Sequence, residues 1–418
     1  VITSVSAWAL ALSMMIAVLS MPQGFSQPPE IEWDRTYGGD SADVAYSVIA
    51  TSEGRFLLAG CTSSFGHGEQ DVYLVETDSV GDTLWTRAYG ESGNDEVYCL
   101  HQTSDGGYIL VGNTYSYGNG IFLIKTDNLG DTSWTRVYEA THSISARSGQ
   151  QTTDEGYVVA GYVRASAGAL REMFLMKTDS MGDSLWTHTY GGSADRAAFD
   201  VHQTSDRGYV LVGFNPFYGA AEIDIYLVKT DSMGNRQWTR SYGGPGEDYA
   251  VSVRQTGDSG YIIAGSTEYL IADIYVIKTD SLGDTLWTRT YGGPVGESAS
   301  SIRQTSDGGY IIAGMTTSFG AVNSDMYLVK INAQGDTLWT LVHAGEGIDY
   351  VTSLDVTTDG GYIVAGFTRP EYFDPPDAWL VKTGPDTSST HAPSIEWVSH
   401  PKDFVLHPAY PNPFNPVT

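Results

Sequence analysis

The sequence predicts an all-β fold assembled from one repeated unit. Three observations carry that prediction: the composition, a tryptophan period near 50 residues, and four strand-like runs inside each period. Gly 48, Tyr 27 and Trp 10, with only 17% charged residues, suit short strands and tight turns better than Lys/Glu/Leu-rich helices. Trp33, Trp85, Trp134, Trp186, Trp238, Trp287 and Trp339 recur at intervals of 52, 49, 52, 52, 49 and 52 residues. A period of that size marks a propeller or a solenoid, so the 418 residues are read as an array before any domains are counted.

Within one unit the runs are Ala250 to Thr256, Tyr261 to Thr267, Ile274 to Thr279 and Thr285 to Tyr291. β-Branched and aromatic residues dominate them, and Gly or Asp punctuates each boundary. The first two runs are joined by a turn opened by Asp105, Asp154, Asp206, Asp258, Asp307 or Asp359, with a Gly before the following Tyr. That Gly is expected to supply the positive φ of the hairpin while the Asp bonds back to turn amides. The third and fourth runs are joined by Asp-x-x-Gly-Asp, as in Asp127 to Asp131 and Asp280 to Asp284. Adjacent runs therefore form one four-stranded antiparallel sheet, which is a propeller blade.

This turn and its following Trp resemble the Asp-box of sialidase-type propellers, although Asp-x-x-Gly-Asp-x-x-Trp departs from that spacing; the resemblance implies a blade and no activity. Each Trp is expected to pack between blades, with an Arg two residues later on the same strand face, as in Trp287 and Arg289. The chain enters with a lone fourth-type strand, Ile31 to Tyr37, and leaves after a third-type strand, Ala378 to Thr383. Pairing these two closes the ring and removes two exposed edges. The prediction is a seven-bladed β-propeller over residues 31–384.

Fifty acidic residues against 22 basic ones give a formal charge of -28, which repels phosphate backbones and anionic lipid and excludes nucleic acid as an expected partner. The acidity fits a soluble exported protein, with cation binding as the alternative. Cys61 and Cys99 fall in different blades, so no disulfide framework follows; a single bridge or two isolated buried thiols are the options.

The ends read as addresses. Val5 to Leu19 is an apolar run too short for a comfortable span, and Gly24-Phe25-Ser26 offers small residues for a signal peptidase, so residues 1–26 are expected to be a signal peptide. No transmembrane span is then expected in the mature protein. Residues 385–405 read as a Pro/Ser/Thr-rich linker. In residues 406–418, Tyr410, Pro411, Asn412, Pro413, Phe414, Asn415 and Pro416 form a string that resembles the opening of the sorting domain of the bacterial type IX secretion system. The resemblance implies a secreted or cell-surface protein that engages that machinery. It covers 13 residues, without the later strands of such a domain, and reads as a truncated start.

Both kinds of repeated turn lie on one face of the disc. The opposite face carries the inter-blade connections and the second-to-third loops, which vary in length and chemistry. These expose Phe65, Tyr115, Tyr117, Phe217, Tyr218, Tyr269, Phe319, Tyr372 and Phe373, rings that could stack on sugars, anchor a protein, or simply shield the blade tops. An acidic residue recurs ten positions after the Trp at Asp43, Asp95, Asp248, Glu297 and Asp349, with Asp195 one residue earlier. This ring, expected near the channel mouth, could hold Ca²⁺, or each acid could cap its own loop. No cofactor is required. His101 and His202 stand where other blades have Arg254 and Arg303 and read as ordinary repeat positions. No nucleophile, phosphate or zinc motif is present. The leading expectation is a monomeric, non-enzymatic protein that binds polysaccharide or protein through the variable face. A polysaccharide hydrolase or lyase at the channel mouth and a structural envelope or adhesion module are the alternatives.

Overall fold

The computed structural model describes residues 26–388 apart from 117, 141, 193, 217–222, 245, 268–271, 320–322 and 346. The segments read as an export signal and a sorting motif, and nearly all of the expected linker, lie outside the described residues. Among the described residues, no helix is long and apolar enough to cross a membrane.

Twenty-eight strands, numbered β1 to β28 in chain order, form seven four-stranded antiparallel sheets among the described residues. In the first blade β2 (Asp43–Ala50) is innermost, followed outward by β3 (Phe56–Thr62), β4 (Asp71–Thr77) and β5 (Thr83–Tyr89). The middle strands β3 and β4 are buried throughout because each faces a neighbouring blade on both sides, whereas β5 is mostly exposed. The core is therefore a set of inter-blade clusters; one joins Leu57 and Leu74 to Val97, Leu100 and Leu110 of the next blade. The molecule is the seven-bladed propeller that the repeat predicts.

Ring closure also follows the expectation. β1 (Ile31–Tyr37) pairs antiparallel with β28 (Asp377–Thr383), Ile31 opposite Thr383 and Tyr37 opposite Ala378, completing a sheet of order β1-β28-β27-β26 with β27 (Tyr362–Arg369) and β26 (Ile348–Val356). First-type and third-type strands begin earlier than predicted, β18 at Asp248 and β20 at Asp273. Equivalent acids elsewhere show why: their amides bond to the preceding blade, Asp95 N–H to the Gln70 carbonyl at 2.8 Å and Asp43 N–H to Pro376 at 2.7 Å.

The conserved-looking Trp and turn residues meet across each seam. Trp85 lies against Gly130 of the next blade, a glycine at φ +78° with no Cβ to fend off the ring. Arg87 stacks over Trp85 at 5.3 Å and reaches Asp131 of the same turn at 3.0 Å, while the Tyr89 hydroxyl donates to the Gly130 carbonyl. After β28 Gly384-Pro385 replaces the usual turn, and Asp386 instead accepts from Nε1 of Trp339, on β25 (Thr337–His343), at 3.3 Å and from the Tyr362 hydroxyl at 2.6 Å.

One turn assignment is corrected. In the first-to-second turn the left-handed residue is the variable one before the Gly shared by six blades: Gly106, Gly308 and Gly360 at φ +80° to +83°, but Glu155, Arg207 and Ser259 at φ +66°. The following Gly is needed for space instead. A Cβ on Gly208 would lie closer than 3.0 Å to the Thr230 carbonyl and to Lys229 Nζ, which is buried and bonded to Thr230 and Asp206 at 2.8 Å each. The first blade confirms this reciprocally: Arg55 replaces the Gly, Glu76 replaces the Lys, and the two form an ion pair at 3.4 Å.

Candidate functional site

The seven inner strands enclose a polar central cavity of about 370 Å³. Because each inner strand enters from the variable face, its residues stack in tiers from that face downward. The extra residue of the β-bulge in each strand, between Ala45 and Ser47 in β2, opens the first tier, with Tyr46, Tyr98, Arg147 and Phe199 on one side and Val251, Ser300 and Thr352 on the other.

The second tier stitches the ring. Ser47 Oγ accepts from Leu100 N–H at 3.2 Å, Ser148 Oγ from Val201 N–H at 3.3 Å, and Ser353 Oγ from Val48 N–H at 3.2 Å. In the second blade Cys99 holds this place and its thiol donates to the Gly149 carbonyl; burial pushes that thiol up to about 11. Cys61 is buried on β3, and both cysteines are free thiols.

In the fourth blade the same place is taken by Asp200, 7% exposed, which accepts from Ser148 Oγ at 2.8 Å, Val253 N–H at 2.9 Å and Arg254 Nη1 at 2.5 Å. Burial opposes ionisation, but Arg254, the Val253 amide and Ser148 outweigh it and hold the carboxyl below its usual range. The third tier is chemically mixed: Ile49, His101, Gln150, His202, Arg254, Arg303 and Asp355 occupy equivalent register positions. Burial, then Arg254 and Arg303, pulls His101 down to about 4; burial, then Arg254, pulls His202 down to about 3, so both imidazoles are neutral at pH 7. Arg303 lies 3.7 Å from Asp355. The histidines are thus repeat positions, as read, but positions that converge on one charged ring. The signal was in the sequence: this column holds Ile, His, Gln, Arg and Asp, while the column two residues before it is Ser in five blades and departs only at Cys99 and Asp200.

Among the predicted face aromatics, Phe65, Tyr115, Phe319, Tyr372 and Phe373 are exposed, Phe373 at 95%. Tyr117, Phe217, Tyr218 and Tyr269 lie outside the described residues. Phe65 rests on Tyr73 and Phe319 on Tyr327 in blades one and six, while Tyr372 and Phe373 pack edge-to-face in blade seven. They form separate spots. Closer to the mouth lies an arc that sequence reading missed. Tyr46 meets Tyr98 at 4.9 Å, Arg147 stacks between Tyr98 and Tyr162, and Arg171 bridges Tyr162 to Phe214, which meets Tyr249 at 5.6 Å. The arc spans five blades because bulge residues and second-strand residues of adjacent blades face one another.

The acidic ring sits elsewhere than expected. None of its six residues lines the cavity; five are almost fully buried beneath the inter-blade connections. They do cap their loops: Asp43 accepts from Gly39 N–H at 2.7 Å, Asp95 from Glu91, Asp248 from Gly244 and Glu297 from Gly293. Burial raises the Asp349 carboxyl above its usual range. Asp195 forms a bidentate pair with Arg171, which outweighs burial and lowers its carboxyl.

A protein of unknown function from Dyadobacter fermentans superposes with a TM-score of 0.50 over 85% of this chain and 99% of its own, at 10% identity. The WD40 domain of Pan2 from Neurospora crassa does so with a TM-score of 0.51 over 83% and 97%, also at 10% identity. The chain shares their fold. No protein-family profile and no curated protein matches the sequence. At such identity the likeness shows architecture alone, and function must be argued from the channel and its faces.

Proposed function

We propose that this propeller is a non-enzymatic binding protein, exported and held at a bacterial cell surface, which takes a polysaccharide across the channel mouth on its variable face. The observation that carries this reading is the arc of half-buried rings and guanidinium groups Tyr46, Tyr98, Arg147, Tyr162 and Arg171, backed by the buried ring of Phe214. Flat rings offer stacking surfaces for sugars, and interleaved arginines supply donors for hydroxyl or carboxylate oxygens. Binding is favoured over turnover by the state of a channel carboxylate. Asp200 is held ionised against Arg254, so it is not poised as a general acid. Export and attachment rest on the apolar run of residues 1–26 and the Tyr410 to Pro416 string.

The test is calorimetric titration of the full chain with neutral and uronic-acid oligosaccharides. Tyr98→Ala and Arg147→Ala are expected to weaken binding at least tenfold without change in fold. Oligosaccharide affinity untouched by either variant, but lost on Tyr372→Ala with Phe373→Ala, would instead place the sugar on the exposed pair of blade seven and overturn the channel-mouth reading.

A further inference from the structure

The buried acids of the inter-blade connections do not stand alone. At the seam between blades one and two, a Cβ placed on Gly90 would lie closer than 3.0 Å to Asp71 Oδ1 of one blade and to Asp95 Oδ2 of the next. Two carboxylates, one from each blade, therefore converge on one glycine. Both are at most 2% exposed, and Asp71 Oδ1, the atom aimed into the gap, has no hydrogen-bond partner. Asp71 Oδ2 accepts from the His67 and Gly68 amides, and Asp95 Oδ2 from Glu91 N–H and Ser116 Oγ. The amide and hydroxyl donors are thus gathered on one oxygen of each acid.

Two acids meet beside a glycine at three more seams, where the third-strand acid is half-buried. Gly38 is flanked by Asp377 and Asp43, Gly243 by Asp224 and Asp248, and Gly292 by Asp273 and Glu297, each within the same 3.0 Å. Across the array the two acids keep company by seam and not by repeat. Blade two has Asp95 on its inner strand but Gly120 at the start of its third strand, and blade four has Asp224 on its third strand but Arg196 on its inner one. Where the second blade meets the third, both acids are missing together, as Gly120 and Ile144, and Glu139 replaces the glycine. Where the third meets the fourth, Glu172 is answered by Arg196, whose Nη1 donates to the Gly191 carbonyl at 2.7 Å. A fixed cation there stands where the other seams have a second carboxylate. Between blades six and seven Asp325 and Asp349 remain, but Ala344 occupies the glycine's place.

We infer that these four glycine-centred seams are Ca²⁺ sites, each ion bridging a third-strand carboxylate to the inner-strand carboxylate of the next blade. Paired anionic oxygens with a serine hydroxyl close by, as Ser64 Oγ is to Asp43 at 2.7 Å, are hard ligands of the kind Ca²⁺ prefers in irregular geometry. Bridging would fasten neighbouring blades at their variable-face ends, where cavity and aromatic arc are formed.

The experiment uses the full chain stripped with EGTA. Equilibrium dialysis against ⁴⁵Ca²⁺ is expected to give about four ions per chain, with a rise in melting temperature over the EGTA form, since a ligand of the folded state stabilises it. Asp95→Asn keeps the oxygen that caps Glu91 but removes one charge; it should lose one ion and forfeit part of the Ca²⁺-dependent rise. Gly90→Ala should do the same by filling the gap. A folded stripped chain that takes up no Ca²⁺ overturns the inference. So does an Asp95→Asn variant that binds the full complement, or one whose melting temperature falls equally in EGTA and in Ca²⁺, the signature of loop capping alone.

Discussion

Arg207, Glu155 and Ser259 sit at φ +66° in turns where other blades have glycine. A side chain in the left-handed region crowds its own carbonyl at a cost of roughly 1 kcal/mol, partly offset by the lower entropy of the unfolded chain. Arg207→Gly is therefore expected to stabilise the protein by up to about 1 kcal/mol, read from chemical unfolding. The channel histidines make the opposite kind of statement. His101 and His202 titrate at about 4 and about 3 in the fold, against 6.5 as free side chains. Between these values the unfolded chain binds protons that the folded chain refuses, so stability held above pH 6.5 declines as pH falls toward 4 and below. Replacing both with Gln, which Gln150 shows the ring accommodates, should flatten that part of the pH–stability profile. Asp200→Ala would strand Arg254 in a largely buried site and is expected to cost about 3 kcal/mol or more.

At the scale of elements, the repeat was legible because each strand is bounded by residues that do one job. The Asp of the third-to-fourth turn accepts two amides of its own turn, Asp78 from Val80 and Asp82, and the Trp that follows reaches the next blade. What was not legible was juxtaposition. Asp71 and Asp95 are 24 positions apart and fall in different repeats, so a reading that aligns repeats sees two columns and never their meeting at Gly90. The Tyr46 to Phe214 arc escaped for the same reason, since its members occupy different registers in successive blades. The interchange of Arg55 and Glu76 in the first blade was readable as a paired departure from the repeat, and only the structure gives it a cause. At the seams themselves, Trp339 is 1% exposed and packs on Tyr362, so Trp339→Ala should cost roughly 3–5 kcal/mol by the cavity it leaves, measured by thermal or chemical unfolding.

For the whole molecule, closure is the organising fact. Residues near the two ends of the described chain complete one sheet, and its other face seals blade one, where Ile363 and Leu380 pack with Leu58 and Val75. Removing residues up to Tyr37 would leave β28 as an open edge and is expected to shift the protein towards aggregates on size-exclusion chromatography.

The same pairing has a mechanical meaning. Ile31 lies opposite Thr383, so the chain enters and leaves the disc at one end of one ladder. A tether beyond residue 384 and a load applied before residue 31 would pull on that end together and open the β1–β28 ladder one rung at a time, as a zip rather than a shear joint. A propeller fastened to a surface by its C-terminal side would then be weak to tension along its own chain.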